Sequence, residues 1–186
     1  MRPSLRAGIT FLISASSALC EQCTHDAFNG STWVLDGCEA LDLSCPPPDA
    51  ISRAPACANA LLPGEVAALA AALKGSSVTA IQLRGSPLGQ SGAAALVPAL
   101  TKLHTLGLGS CRVGDAGAKI IADVLLPASK LQSLDLAHNS LSDDGVRQLA
   151  AALKKGAAEG GLQNLDLSWN GIGPRGELCL SQASPL

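Results

Sequence analysis

The first residues in the chain that could do chemistry are two cysteines with redox spacing, in the stretch CEQC at residues 20–23. Such a pair acts as a catalytic dithiol when a strand precedes it and a helix follows it, because a helix amino terminus lowers the pKa of a thiol. An apolar amino-terminal run precedes this pair instead. A c-type haem site needs histidine directly after the second cysteine, but Thr24 stands there, ahead of His25. We therefore expect a structural disulfide.

Other catalytic chemistry finds little support in the sequence. Zinc would need a second close pair of ligands, whereas Cys38, Cys45 and Cys57 are seven and twelve residues apart. Nucleophilic hydrolysis needs a histidine beside a serine or cysteine, but there is no nucleophile-elbow motif, and His104 and His138 lie in separate segments. We expect a protein that is not an enzyme and has neither a cofactor nor a metal site.

A role in binding another protein is better supported, because polar and aromatic residues recur inside two nearly identical sequence segments. LQSLDLAHNSLSDDG covers residues 131–145, and LQNLDLSWNGIGPRG covers residues 162–176, which is 31 residues later. Leucines that alternate with polar residues predict a short strand with one buried face. One strand and one helix cannot cover these leucines, but parallel stacking buries each set against the next. The repetition therefore predicts a solenoid.

The pattern LxxLxLxx(N/C)xL occurs four times, starting at Val78, Leu103, Leu131 and Leu162, with spacings of 25, 28 and 31 residues. It resembles the leucine-rich repeat. The helical second halves, DAGAKIIADVL and DDGVRQLAAAL, resemble those of the ribonuclease-inhibitor-like subclass, and the resemblance covers roughly residues 64 to 180. It implies an α/β fold, a short solenoid with parallel strands on its concave side and helices on its convex side.

One polar position follows each strand and is occupied in chain order by Ser86, Cys111, Asn139 and Asn170. An amide at this turn has donors and an acceptor that can satisfy backbone groups left unpaired by the bend. Cys111 matches the pattern of the family, and Ser86 departs from it.

Three irregularities modify the array. Pro98 predicts a short or broken helix in the first full repeat. Cys38, Leu41 and Leu43 imitate the strand pattern and predict a divergent extra strand upstream. After the fourth strand we expect a helix of about one and a half turns, an open strand edge and a truncated array.

Outward-pointing residues of successive strands form columns on the concave side and predict a binding surface there. Trp169 should be exposed as an anchor, or else pack over a neighbouring repeat. Asp135 and Asp166 share a column, where a basic partner would relieve their repulsion; the alternative is a solvated consensus dipeptide. We expect partner contacts from Gln82, Arg84, His104, Asp135, His138, Asp166 and Trp169.

The amino-terminal segment has the anatomy of a signal peptide. The basic MRPSLR precedes an apolar run of 13 residues, which is too short to span a membrane, and cleavage is predicted near residue 18 or 19. This gives a signal peptide over 1–19, a cysteine- and proline-rich cap over 20–63 and a solenoid of about four repeats over 64–186.

The cap predicts an oxidising compartment. Asn29 begins a glycosylation sequence, and an odd number of clustered cysteines requires one to stay free, pair between chains, or pair with Cys111 or Cys179. The cysteines predicted to form disulfides are Cys20, Cys23, Cys38, Cys45 and Cys57.

These features favour a secreted or lumenal interaction module that binds a protein partner on its concave face. The net charge of −2, without a basic patch, argues against nucleic acid, and no particular oligomeric state is favoured. The resemblance implies a second hypothesis, a cytoplasmic regulator such as a GTPase activator or signalling scaffold, for which the amino-terminal run would be irrelevant. A dithiol oxidoreductase would instead lose its activity when Cys20 or Cys23 is replaced.

Mass spectrometry of the native protein separates the first two hypotheses. Export predicts an amino terminus near residue 19 or 20, bridged cysteines and a glycan on Asn29. An intact Met1 together with free thiols would instead place the protein in the cytoplasm.

Overall fold

A computed structural model describes residue 35, residues 38–44, residue 61 and the ranges 63–125, 130–156 and 162–183. Within these residues, strands and helices alternate strictly along the chain. The strands are β1 (Ala40–Asp42), β2 (Ala80–Gln82), β3 (Thr105–Gly107), β4 (Ser133–Asp135) and β5 (Asn164–Asp166). The helices are α1 (Pro63–Gly75), α2 (Gly89–Leu100), α3 (Gly114–Leu125), α4 (Asp143–Gly156) and α5 (Pro174–Ala183).

The strands form one parallel sheet in the order β1-β2-β3-β4-β5, and each helix packs against the helix of the next repeat. The register aligns one aliphatic residue from each strand in a single interior row: Leu41, Ile81, Leu106, Leu134 and Leu165. This confirms the predicted leucine-rich-repeat solenoid. It also confirms the divergent upstream strand, because β1 pairs in parallel with β2.

The core is built from thin aliphatic layers rather than aromatic side chains. Leu83, Leu106, Leu108 and Leu136 on the strand side are at most 1% exposed, and burial of each such side chain contributes about 1.5–3 kcal/mol. The equivalent leucines of the last repeat, Leu162, Leu165 and Leu167, are only partly buried. No following repeat covers them among the described residues, so β5 is an open edge there, as predicted.

Successive helices are tied together at their amino ends by aspartates. Asp115, in the first turn of α3, accepts hydrogen bonds from the backbone N–H of Ser142 at 2.8 Å and from its hydroxyl at 2.6 Å. Asp143, in the first turn of α4, accepts hydrogen bonds from Gly173 N–H at 2.7 Å and Gly176 N–H at 3.0 Å. Each carboxylate thus satisfies amide donors where the next helix begins.

Pro98 does not break its helix, contrary to prediction. α2 runs unbroken over 12 residues, as many as α3, with Pro98 inside it. The proline stands two residues before the helix end, and both Pro98 and Ala94 are exposed. The Ala94 carbonyl that loses its donor therefore faces water, which reduces the cost of the missing hydrogen bond.

The last helix is longer than the predicted one and a half turns. α5 spans 10 residues, or about three turns. It begins at Pro174, whose ring suits the first helical turn because no intrahelical donor is needed there. It then continues through Ser181 and Gln182 to Ala183.

Most of the predicted amino-terminal features lie outside the described residues. These are the signal peptide over 1–19, the glycosylation site Asn29 and the cysteines Cys20, Cys23, Cys45 and Cys57, so all remain predictions. Cys38 is buried beside β1, within the segment assigned to the cap. No helix in the described ranges is both long and apolar enough to cross a membrane.

Candidate functional site

The turns that follow β3 and β4 are each held by an amide from the next repeat. Asn139 Oδ1 accepts hydrogen bonds from the backbone N–H groups of Cys111 at 3.1 Å and Val113 at 3.0 Å, and its Nδ2 donates to Leu108 O at 2.7 Å. Asn170 repeats this arrangement one repeat later, with Oδ1 accepting from Asn139 N–H at 2.8 Å. The two amides use donors and acceptor together, the role expected of this position.

Cys111 occupies the same position with a single sulfur atom in place of an amide. Its thiol donates to Leu83 O at 3.1 Å, as an asparagine would, and its sulfur also interacts with the backbone of Ser86 and Gly85 in the preceding turn. Ser86 N–H donates to Leu83 O at 3.1 Å, and Leu88 N–H donates to Ser86 O at 2.7 Å, so these groups are satisfied locally. Burial raises the pKa of Cys111 to about 12, which leaves it a protonated thiol rather than a nucleophile.

The residue before each of these polar positions adopts a left-handed backbone conformation. The φ angles are 81° at Gly85, 57° at Ser110, 55° at His138 and 58° at Trp169. Non-glycine residues adopt this region at some energetic cost, and bulky ones rarely do so. The amide ladder imposes the turn, so these side chains form a column at the carboxyl ends of the strands.

The last two members of this column form a stacked pair. The rings of His138 and Trp169 lie with centroids 5.1 Å apart and an interplanar angle of 7°. Trp169 nevertheless remains 78% exposed. Exposure was predicted, and the alternative of packing over a neighbouring repeat is realised as well, through His138. The pair lines a shallow groove of about 460 Å³ together with Ser140, Leu141, Ser142 and Gly171.

Three aspartates of the central concave column each accept a backbone hydrogen bond from their own turn with one carboxylate oxygen. Asp42, Asp135 and Asp166 each accept a hydrogen bond at 2.9 Å from the backbone N–H two residues later. The side chain and backbone of Ser168 hold the pKa of Asp166 below its usual value, and the charges of Arg84 and His138 act in the same direction. The consensus-dipeptide alternative therefore has a structural basis in these hydrogen bonds.

Two glycines, Gly107 and Gly109, leave room for the side chains of Gln82 and Arg84 to lie across the concave face. A Cβ placed on Gly107 would meet Gln82 Oε1 at 1.5 Å, and one on Gly109 would meet Arg84 Nε at 3.1 Å. Arg84 passes over this floor to Asp135, with Nη1 3.9 Å from Oδ2. Two glycines in adjacent outward columns, Gly107 and Gly109, are the sequence signal for this floor, although they do not indicate which side chains cross it.

The structure gathers most of the predicted contact residues into one patch at the carboxyl ends of the strands: Arg84, Asp135, His138, Asp166 and Trp169, with Gln82 alongside. His104 precedes β3, and its N–H donates to Thr79 O at 2.7 Å, so it belongs to a separate column at the amino ends of the strands. Across the described ranges, no three His, Cys, Asp or Glu side chains come close enough to hold a metal ion.

Comparisons with known proteins agree with this architecture. A family model described as leucine-rich repeat matches residues 99–122, 128–150 and 162–181. Ribonuclease inhibitors are 38% identical over 86 residues in Mus musculus and 39% over 79 residues in Sus scrofa, alignments that cover 44% and 40% of this chain. They cover 19% and 17% of those proteins, so the chain spans less than a fifth of their length.

Two further similarities extend the comparison. The NACHT, LRR and PYD domains-containing protein 12 of Mus musculus is 40% identical over 91 residues, which cover 46% of this chain and 9% of that protein. Among solved structures, Leiomodin-1 Actin-Binding Site 2 superposes with a TM-score of 0.55 at 19% identity, covering 66% of this chain and 72% of that one. At that identity the likeness concerns the fold alone.

The backbone conformation of Trp169 gives a stability prediction. Trp169→Asn loses the stack on His138 but suits the left-handed region, so the free energy of unfolding should stay within about 0.5 kcal/mol of wild type. Trp169→Val loses the stack and places a β-branched residue there, which should cost about 1–2 kcal/mol. Urea unfolding followed by circular dichroism measures both variants. Equal stability of the two would contradict a turn imposed at φ 58°.

Proposed function

We propose that this chain, whose repeats match the leucine-rich-repeat family and resemble those of ribonuclease inhibitors, is a non-catalytic module that binds a protein partner on its concave face. The contact is centred on Trp169, with His138, Asp166, Asp135 and Arg84 around it. The single observation that carries the proposal is the 78% exposure of Trp169 in a turn that disfavours so large a side chain.

The folded chain gains little from this tryptophan. A largely exposed indole buries little apolar area, and the left-handed backbone adds a cost that glycine or asparagine would avoid. Tryptophan is enriched among the few interface residues that supply most of the binding energy. Trp169 thus contributes little to the stability of the fold but could contribute strongly to binding energy, which supports a role in recognition.

The charge of the patch indicates the sign of the charge on the partner's binding surface. Asp42, Asp135 and Asp166 all lie in the central column, and among the described residues one salt bridge, from Arg84 to Asp135, opposes their charge. Complementary charge increases association rates and excludes like-charged proteins more than it adds affinity. A partner with a basic surface is therefore the expected ligand.

The relatives suggest which partner to test first. Two similar proteins are named for inhibiting ribonuclease, so pancreatic ribonuclease is a defined probe for this face. The relatives also support the absence of catalysis, as does the protonated, buried thiol of Cys111. We propose export as the setting; the alternative, a cytoplasmic regulator of the same subclass, uses the same face inside the cell.

The binding site is tested by a double substitution and a matched control. Trp169→Ala with Asp135→Asn should weaken partner capture by about 100-fold or more, because two central contacts are lost. The probes are ribonuclease and proteins that the wild-type chain retains from extracts, quantified by mass spectrometry. Asp144→Asn with Arg147→Ala removes an exposed ion pair of α4 at 2.9 Å and should leave capture unchanged.

Unchanged far-ultraviolet circular dichroism establishes that both double variants fold. The concave site is wrong if the Trp169 and Asp135 variant captures its partners as well as the wild type does. It is equally wrong if the α4 variant loses them.

A further inference from the structure

Arg84, in the turn after β2, shows how a guanidinium group can bind on the concave face. Arg84 extends from the turn after β2, crosses Gly109 and brings Nη1 to 3.9 Å from Oδ2 of Asp135, two strands away. Oδ1 of Asp135 is occupied by Ala137 N–H at 2.9 Å, so the guanidinium approaches the oxygen that the turn leaves unused. The contact is intramolecular, but its chemistry is that of a basic side chain docking on the surface.

The next position along the column offers the same kind of acceptor, and no salt bridge is formed there among the described residues. Asp166 pairs in register with Asp135, and its Oδ1 is likewise occupied by Ser168 N–H at 2.9 Å. No Lys or Arg within the described ranges forms a salt bridge with Asp166. Asp166 is exposed, and hydrogen bonds from the side chain and backbone of Ser168 hold its pKa below the usual value, which favours a carboxylate accessible to a partner.

The aromatic surface beside Asp166 favours one kind of cation. Trp169 follows Asp166 by three residues, which limits their Cα separation to about 11 Å. One face of the indole is covered by His138, and the 78% exposure of Trp169 leaves the other face open to solvent. Arginine can stack its planar guanidinium on an indole and direct a donor to a carboxylate, whereas the ammonium of lysine is a compact, strongly hydrated point charge.

We infer that Asp166 and Trp169 together form a subsite for an arginine side chain of the protein partner. This inference rests on the proposed function, because it assigns chemistry to the same concave face. It also explains the arrangement of the patch: Arg84 neutralises Asp135 within the chain, and the partner supplies the equivalent group for Asp166.

The subsite is tested by nuclear magnetic resonance on the full-length, 15N-labelled chain. The ligands are the capped peptides Ac-Gly-Arg-Gly-NH2 and Ac-Gly-Lys-Gly-NH2, which differ in the cation alone. We expect the arginine peptide to shift the resonances of the Trp169 indole N–H and the Ser168 amide, with a Kd on the order of millimolar. The lysine peptide should bind at least about 3-fold more weakly.

Substitutions identify the groups involved. Asp166→Asn and Trp169→Ala should each weaken binding of the arginine peptide by about 3- to 10-fold, read for Trp169→Ala from the Ser168 amide. Asp144→Asn removes an exposed carboxylate of α4 and should leave the titration unchanged.

Three results would overturn the subsite: no shift with the arginine peptide, equal affinity for the lysine peptide, or wild-type affinity in Asp166→Asn. If partner capture still depends on Trp169 and Asp135 under any of these results, the arginine subsite fails while the concave binding face stands. If capture is also independent of them, both proposals fail.

Discussion

The turns after β3 and β4 depend on the following repeat for their backbone hydrogen bonds. The N–H groups of Cys111 and Val113 have their acceptor in Asn139, and those of Asn139 and Leu141 have theirs in Asn170. The leucines obey the same constraint, since Leu134 is covered by its neighbours on both sides, whereas Leu165 at β5 is only partly covered. Buried polar groups without partners are costly, so the array is held together by contacts between repeats.

The same constraint produces the recognition surface. In the tight turns after β2 to β5, the residue before the polar position takes a left-handed conformation with its side chain at the edge of the concave face. The interior rows must be aliphatic, whereas the left-handed positions of successive repeats carry residues as different as Gly85, Ser110, His138 and Trp169. His138 and Trp169 occupy the left-handed positions of successive repeats and stack on each other, and Asp135 and Asp166 lie beside them. Recognition therefore depends on residues that the fold positions without specifying.

The repeating part of the structure could be predicted from the sequence, whereas contacts and helix features specific to one repeat could not. The interior row and the polar turn follow from the spacing of Leu106, Leu134 and Asn139, because stacking permits only one register. The contact between Arg84 and Asp135 could not be derived, since it depends on the shape of a glycine floor across two strands. Pro98 was misjudged because its effect depends on distance from the helix end, a boundary that sequence places poorly.

Native-state hydrogen exchange of the amides of Cys111 and Val113 tests the dependence between repeats most directly. Both donate to one buried side-chain oxygen of the next repeat, at 3.1 and 3.0 Å. The account predicts strong protection in the wild type and a selective loss at these two amides in Asn139→Ala, while amides in the middle of α2 keep their protection. Unchanged protection of Cys111 and Val113 in that variant would contradict it.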